Sequence, residues 1–285
     1  MQLHLYASAH AFLDVTQPAL EAAEAANNLM YGLILRICEF PERFQPAPYL
    51  SAVLDSGHVL TAALMTPPHN LVVFSNNPAG QDQAFALIAQ NLLQDDWSVP
   101  GVLGPNAAAL AFAQAWQTLT GKTYTLAMRE RVYELRQVTT PPQPPGQMRL
   151  AREEDLYLVA QWTEEFQREA LPDEAIAAPE QYLESTRLRI KDRTYYLWED
   201  GVPVALAGWT RPTPHGCSIG PVYTPREFRG KGYASALTAG LSQYLLDQGK
   251  QFTALFTDLA NPTSNSIYQK IGYRPVADFD MYRFG

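Results

Sequence analysis

Apolar residues come in short runs broken by small turns, and the order of those runs occurs twice. Residues 50–54 are mostly apolar, meet the turn Asp55-Ser56-Gly57, and give way to a second apolar run at 59–66. Residues 195–198 meet Glu199-Asp200-Gly201 and give way to 202–210 in the same manner. Two such runs joined by a short Gly-containing turn predict a β-hairpin. A break rich in Pro and His follows each: Pro67-Pro68-His69-Asn70 in one copy, Pro212-Thr213-Pro214-His215-Gly216 in the other. Next comes a strand-like run (71–75; 219–224) and a stretch of helical periodicity (83–93; 233–246). The copies also end alike. Residues 102–106 lead into a helix-like 107–116, Gly121 and a run to Leu135; residues 255–262 lead into 264–271, Gly272 and a run to Phe284. The pattern predicts an internal repeat of two α/β units.

Between the copies stands Thr139-Thr140-Pro141-Pro142-Gln143-Pro144-Pro145-Gly146. Four prolines in eight residues exclude a helix or an interior strand and predict an extended linker. The expected organisation is one domain at 1–138, a linker at 139–146 and a second domain at 147–285.

Composition changes this picture little. With 47% hydrophobic and 18% charged residues, the 285-residue chain has the make-up of a globular protein with two cores. No apolar run approaches the roughly 20 residues of a bilayer crossing, and Met1-Gln2-Leu3-His4-Leu5 has no basic region of a secretion signal. Cys38 and Cys217, far apart, predict free thiols, a reducing cytoplasmic setting and no metal site.

Charge is more informative when divided. Residues 1–145 hold 6 Lys/Arg against 11 Asp/Glu, and residues 146–285 hold 15 against 18. An acidic chain lacks the cationic face that nucleic acid requires. No Lys or Arg lies between Arg43 and Lys122, whereas Arg226, Arg229 and Lys231 cluster in the second copy and point to a local anion site.

That cluster surrounds the segment with the clearest chemistry. The strand-like Val222-Tyr223-Thr224 ends at Pro225 and runs through Arg229-Gly230-Lys231-Gly232-Tyr233-Ala234 into an apolar-periodic helix. A strand feeding a Gly-rich turn and a helix start aims free backbone N–H groups and the positive end of the helix dipole at one spot. The spacing is not that of a P-loop, and Ser235 stands where a dinucleotide fingerprint needs Gly or Ala.

The string from Val222 to Ala234, with Arg229-Gly230-Lys231-Gly232 at its centre, resembles the pyrophosphate loop of the GCN5-related N-acetyltransferase (GNAT) family. A second motif agrees. Asn261-Pro262-Thr263-Ser264-Asn265, then Tyr268, then Gly272-Tyr273, is similar to the family's Asn-rich helix start, helix tyrosine and closing Gly-aromatic pair. The resemblance covers about 148–284. It implies two tandem GNAT-like domains, the first a degenerate copy, each a mixed, mostly antiparallel twisted sheet flanked by helices with a V-shaped splay between two central strands.

It also implies acetyl-CoA as co-substrate, no metal, and transfer of acetyl to a primary amine by direct attack. Val222, Tyr223, Thr224, Arg229, Gly230, Lys231, Gly232, Tyr233 and Ala234 would then hold the cofactor, Val222 N–H receiving the thioester oxygen. Asn261 and Asn265 would lie against it, or cap their helix. Tyr268, whose phenol has a reference pKa of about 10, would protonate a thiolate of pKa about 8.5. No carboxylate stands on the strand before the loop. Glu164, Glu165 and Asp258, or water, remain for the amine proton, and Cys217 lacks an adjoining base. A non-catalytic acyl-CoA-binding or sensing protein is the alternative. The acidic chain favours cationic acceptors, either small molecules or peptides.

The first copy offers less. Its loop, 75–83, has one glycine, no cation and Asp82, and its helix offers Ala113 or Trp116 where the second copy has Tyr268. A degenerate domain that completes the acceptor cleft or braces its partner is expected.

Overall fold

In a computed structural model, residues 1–170 and 178–285 are described. Each half runs strand, two helices, three strands, helix, strand, helix, strand. The first comprises β1 (Gln2–Leu5), α1 (Ala9–Glu21), α2 (Asn28–Glu39), β2 (Tyr49–Asp55), β3 (His58–Met65), β4 (Leu71–Ser75), α3 (Gln81–Gln94), β5 (Gly101–Pro105), α4 (Asn106–Thr120) and β6 (Tyr124–Leu135). The second comprises β7 (Gln147–Leu150), α5 (Leu156–Ala170), α6 (Pro179–Lys191), β8 (Tyr195–Asp200), β9 (Val202–Thr210), β10 (Gly216–Tyr223), α7 (Tyr233–Asp247), β11 (Phe252–Asp258), α8 (Pro262–Ile271) and β12 (Arg274–Phe284). Both hairpins and the strand–helix blocks fall where the hydrophobic pattern puts them.

All twelve strands form one sheet in the order β1-β2-β3-β4-β5-β12-β6-β11-β10-β9-β8-β7. Among the described residues, only β4·β5 and β10·β11 are parallel pairs. The two final strands are exchanged: β12 pairs with β5 of the first half, and β6 pairs with β11 of the second. The long β6·β12 ladder joins the halves through the middle, where Arg131 grips Asp278 in a two-pronged ion pair at 2.6 and 2.8 Å.

The cores follow from strand alternation. In the second half, Cys217, Ile219, Leu255 and Tyr273 pack under Leu237 and Leu241 of α7. The opposite face takes Trp162 of α5 and Ile190 of α6 against Tyr195, Leu206 and Tyr223. The first half repeats this, with α3 and α4 on one face and α1 and α2 on the other. Among the described residues, no helix is long and apolar enough to cross a membrane.

Candidate active site

β10 and β11 share only three rungs, Gly216–Phe252, Cys217–Thr253 and Ser218–Ala254. Beyond them β10 stays with β9 as far as Tyr223, through a bulge between Ile219 and Val222, while β11 stays with β6 as far as Asp258. The strands therefore part into a wedge. Residues facing one another in an antiparallel ladder alternate between bonded and non-bonded pairs. Trp209 donates its N–H to the Thr194 carbonyl on the β8 side, so Ala207, two residues away, points its N–H in the same direction. Its partner across the ladder, Val222, accordingly turns its own N–H into the wedge.

The wedge leads to the start of α7. Gly232, at φ 85°, is the N-cap and supplies no side chain to the first-turn amides. Gly230 has φ 78°, and both glycines have open space in front of them. A side chain at such φ values is strained. Tyr233 is buried, donates its hydroxyl to Asp200 at 2.6 Å, and has its phenol pKa raised by that bond. Its ring thereby anchors the loop and leaves the Ala234 and Ser235 amides at the helix mouth. Thr224 Oγ1 is buried without a partner among the described residues. The uncapped helix start, the two open left-handed glycines and that orphaned hydroxyl fit a pyrophosphate with polar neighbours.

The cations are less free than their letters imply. Arg229 Nε donates to the Thr224 carbonyl at 2.8 Å and Nη2 to Glu169 of α5 at 2.6 Å, with Arg226 also 3.5 Å from Glu169. Lys231 stands exposed, its ammonium 5.6 Å from the Phe228 ring centre.

Asn261 accepts from the Ser264 N–H at 3.0 Å and caps α8. Asn265 Nδ2 donates to the Asp258 and Asn261 carbonyls, and its Oδ1 accepts from Tyr133 of β6. Both asparagines serve as helix-start ties, and Asn265 also fastens α8 to the β11 wall of the wedge. Tyr268 packs edge-on against Tyr273, whose buried hydroxyl bonds Ser242 and Thr253 at 2.8 Å each. The Tyr268 hydroxyl has no hydrogen-bond partner among the described residues, and the side chain is half-buried. Desolvation pushes its pKa up to about 12, so it stays protonated at neutral pH.

Of the carboxylates named from sequence, Glu165 comes nearest to β10, accepting from the Tyr223 hydroxyl at 2.8 Å. Glu164 is bound to Arg168, and Asp258 caps the Ala260 N–H. Burial pushes the Cys217 thiol up to about 12, which leaves it un-ionised and a poor nucleophile. Sequence reasoning passed over Arg211, a buried guanidinium on which the charges of Glu130 and Arg189 act. A lone Arg between Thr210 and Pro212 carries no local signal of burial. A separate cavity of about 410 Å³, lined by Glu21, Glu24, Glu134, Arg136, His215 and Phe252 among others, lies between the halves at the closed end of the wedge. None of the sequence-predicted site residues lines it.

The arrangement of two splayed-sheet units in tandem resembles the fold of solved GNAT proteins. Residues 198–283, from β8 through the cradle and Tyr268 to β12, match the family model described as FR47-like protein, which is GNAT-related. A GCN5-related N-acetyltransferase from Sphaerobacter thermophilus superposes with TM-score 0.62 at 18% identity, over 99% of this chain and 95% of its own. A tandem GNAT protein from the clavulanic acid biosynthesis pathway, without AcCoA, superposes with TM-score 0.57 at 15% identity, over 99% and 97%. A Drosophila protein gives TM-score 0.70 at 13% identity, over 99% and 98%. No curated protein matches the chain in sequence.

Proposed function

We propose that the second half transfers an acetyl group from acetyl-CoA to a primary amine. The observation that carries this reading is the conjunction of an uncapped α7 start with a wedge beside which Tyr268 keeps a hydroxyl without a partner among the described residues. The α7 amides and Thr224 Oγ1 would hold the pyrophosphate, with Lys231 and Arg229 beside it. The pantetheine arm would lie in the wedge as an added strand against the free edge of β10. Val222 N–H then meets the thioester oxygen, and a donor aimed at a developing oxyanion contributes about 3 kcal/mol. The amine nitrogen forms its bond to the carbonyl carbon, the C–S bond breaks, and the departing sulfur takes the Tyr268 proton. The proton released by the amine leaves to Glu165 or to water.

The test is thiol release from acetyl-CoA by the full chain, supplied with a library of primary amines, beside Tyr268→Phe. Amine-dependent release that falls about 100-fold in the variant, with acetyl-CoA affinity retained, supports the reading. Tight acetyl-CoA binding with no amine-dependent release would favour a sensing protein. Absence of binding removes both.

A further inference from the structure

Arg211 follows β9 in a left-handed conformation, φ 48°, and its side chain crosses to the neighbouring strands. Nη2 donates to Ser218 Oγ at 2.9 Å, and the guanidinium carbon lies 5.4 Å from the Phe256 ring centre. Ser218 belongs to the last shared rung of the wedge, and Phe256 is the second residue of β11 beyond it. The guanidinium thus sits where the strands part. By alternation, Cys217, Ile219 and Leu255 face α7 and α8, so Ser218, Ala254 and Phe256 face the other way. Arg211 is therefore on the sheet face opposite Tyr268 and the cradle.

The first half seats this arginine. Asn28, fully buried on α2, accepts from Arg211 Nε at 3.3 Å and donates to its carbonyl at 3.2 Å. One turn on, Gly32 leaves room that a Cβ would fill, only 2.6 Å from Arg211 Cβ. Nη1 has no hydrogen-bond partner among the described residues, and no carboxylate there lies within ion-pair distance of the guanidinium. The residue keeps partial exposure. The charges facing it are Glu130 of β6 and Arg189 of α6. Among the described residues, Arg189 is itself held by neutral acceptors: Thr194, Tyr195 and the carbonyls of Trp209 and Gly220. Burial draws the Arg211 pKa down to about 10, which leaves it cationic at neutral pH. A desolvated cation whose facing carboxylate, Glu130, stays beyond ion-pair distance is incompletely compensated, and an arriving anion relieves that cost.

We propose that the acceptor is a primary amine that also carries a carboxylate, and that Arg211, held by Asn28 and Gly32 of the first half, selects it. This rests on the acyltransferase reading: with the acyl-CoA arm entering from the α7 face, the acceptor approaches from the Arg211 face. The amine lies towards Glu165 and the wedge, the carboxylate on Nη1. The local cations overrule the preference for cationic acceptors drawn from the acidic chain as a whole.

The experiment measures kcat/KM for thiol release with a panel of α- and ω-amino acids, each paired with its own carboxamide. A charge-assisted hydrogen bond to a desolvated guanidinium predicts an acid-over-amide preference of about 10- to 100-fold. In Arg211→Gln the preference collapses to about unity, while acetyl-CoA affinity, measured separately by calorimetry, stays put. A protein that is merely destabilised would lose both substrates equally and keep its selectivity. Amides that match or exceed their acids in the wild-type protein overturn the proposal, even where the variant does not fold. So does a panel in which neither member reacts. A wild-type protein that binds no acetyl-CoA would instead break the transferase reading on which the proposal stands.

Discussion

The two halves share their order of elements and even the left-handed glycine before the third helix, yet they differ as binding sites. Gly80 caps α3 at φ 85°, as Gly232 caps α7. In front of Gly80 stand the Met1 methyl, 3.3 Å from a notional Cβ, and Leu60; in front of Gly232 there is nothing. The first turn of α3 holds Asp82, which repels an anion where the helix dipole would attract one. The wedges differ too. β5 ends two residues beyond its last rung with β4, at Pro105, whereas β11 runs four residues beyond its last rung with β10. At 3.3 Å per residue that is about 7 Å of free arm against about 13 Å. Gly104, on the short arm, also lies against Val73, whose carbonyl oxygen would be 2.7 Å from a Cβ there. Duplicating a fold therefore preserves the helix mouth, but binding needs an open approach, compatible charge and a wedge of sufficient length.

The largest effect expected concerns the seam. Because β12 lies between β5 and β6, a chain ending at Gly272 strips an inner strand from both halves and leaves two unpaired edges. It is expected to be insoluble or molten, and the full chain to unfold in urea as one transition by circular dichroism. Two well-separated transitions would show that the halves fold alone. Next in size is the pair of capping glycines. Gly232→Trp is expected to weaken acetyl-CoA binding more than about 100-fold, since it both strains φ and fills the mouth. Gly80→Trp should leave the affinity within about twofold in the same titration, as a residue outside the site must.

Tyr268→Phe removes a proton donor and should lower kcat about 100-fold, with binding unchanged. Its raised pKa sets the sign of the pH dependence. On the proposed mechanism the protonated form is the active one and persists up to about pH 12, so no loss of kcat due to Tyr268 is expected between pH 7 and 10. An alkaline fall centred near 10 that vanishes in the phenylalanine variant would contradict a desolvated phenol. The smallest effect is expected at Arg229. It is 43% exposed and shares Glu169 with Arg226, so Arg229→Gln should weaken acetyl-CoA by only about threefold to tenfold, and less at high salt.

The hairpins, the Pro-rich break and the α7 loop were legible because each rests on local chemistry: period-two apolar runs, proline's missing N–H, and glycines at a strand-to-helix turn. The exchange of β6 and β12 was not. Hydrophobic alternation marks a strand but not its partner, and both strands end their copies with the same pattern. Tyr268 stood in a motif, whereas Arg211 acquires its meaning from Asn28 and Gly32, residues far upstream that only the packing of α2 brings into contact. Arg229 shows the converse. Its motif position was readable, but its tie to Glu169 required knowing that α5 passes beside the loop.

The unequal halves are tested most directly by the stoichiometry of acetyl-CoA binding to the full chain in a calorimetric titration. One site per chain is the predicted result, lost in Gly232→Trp. Two sites per chain, or a single site that survives that substitution, would contradict the assignment of the open cradle to α7.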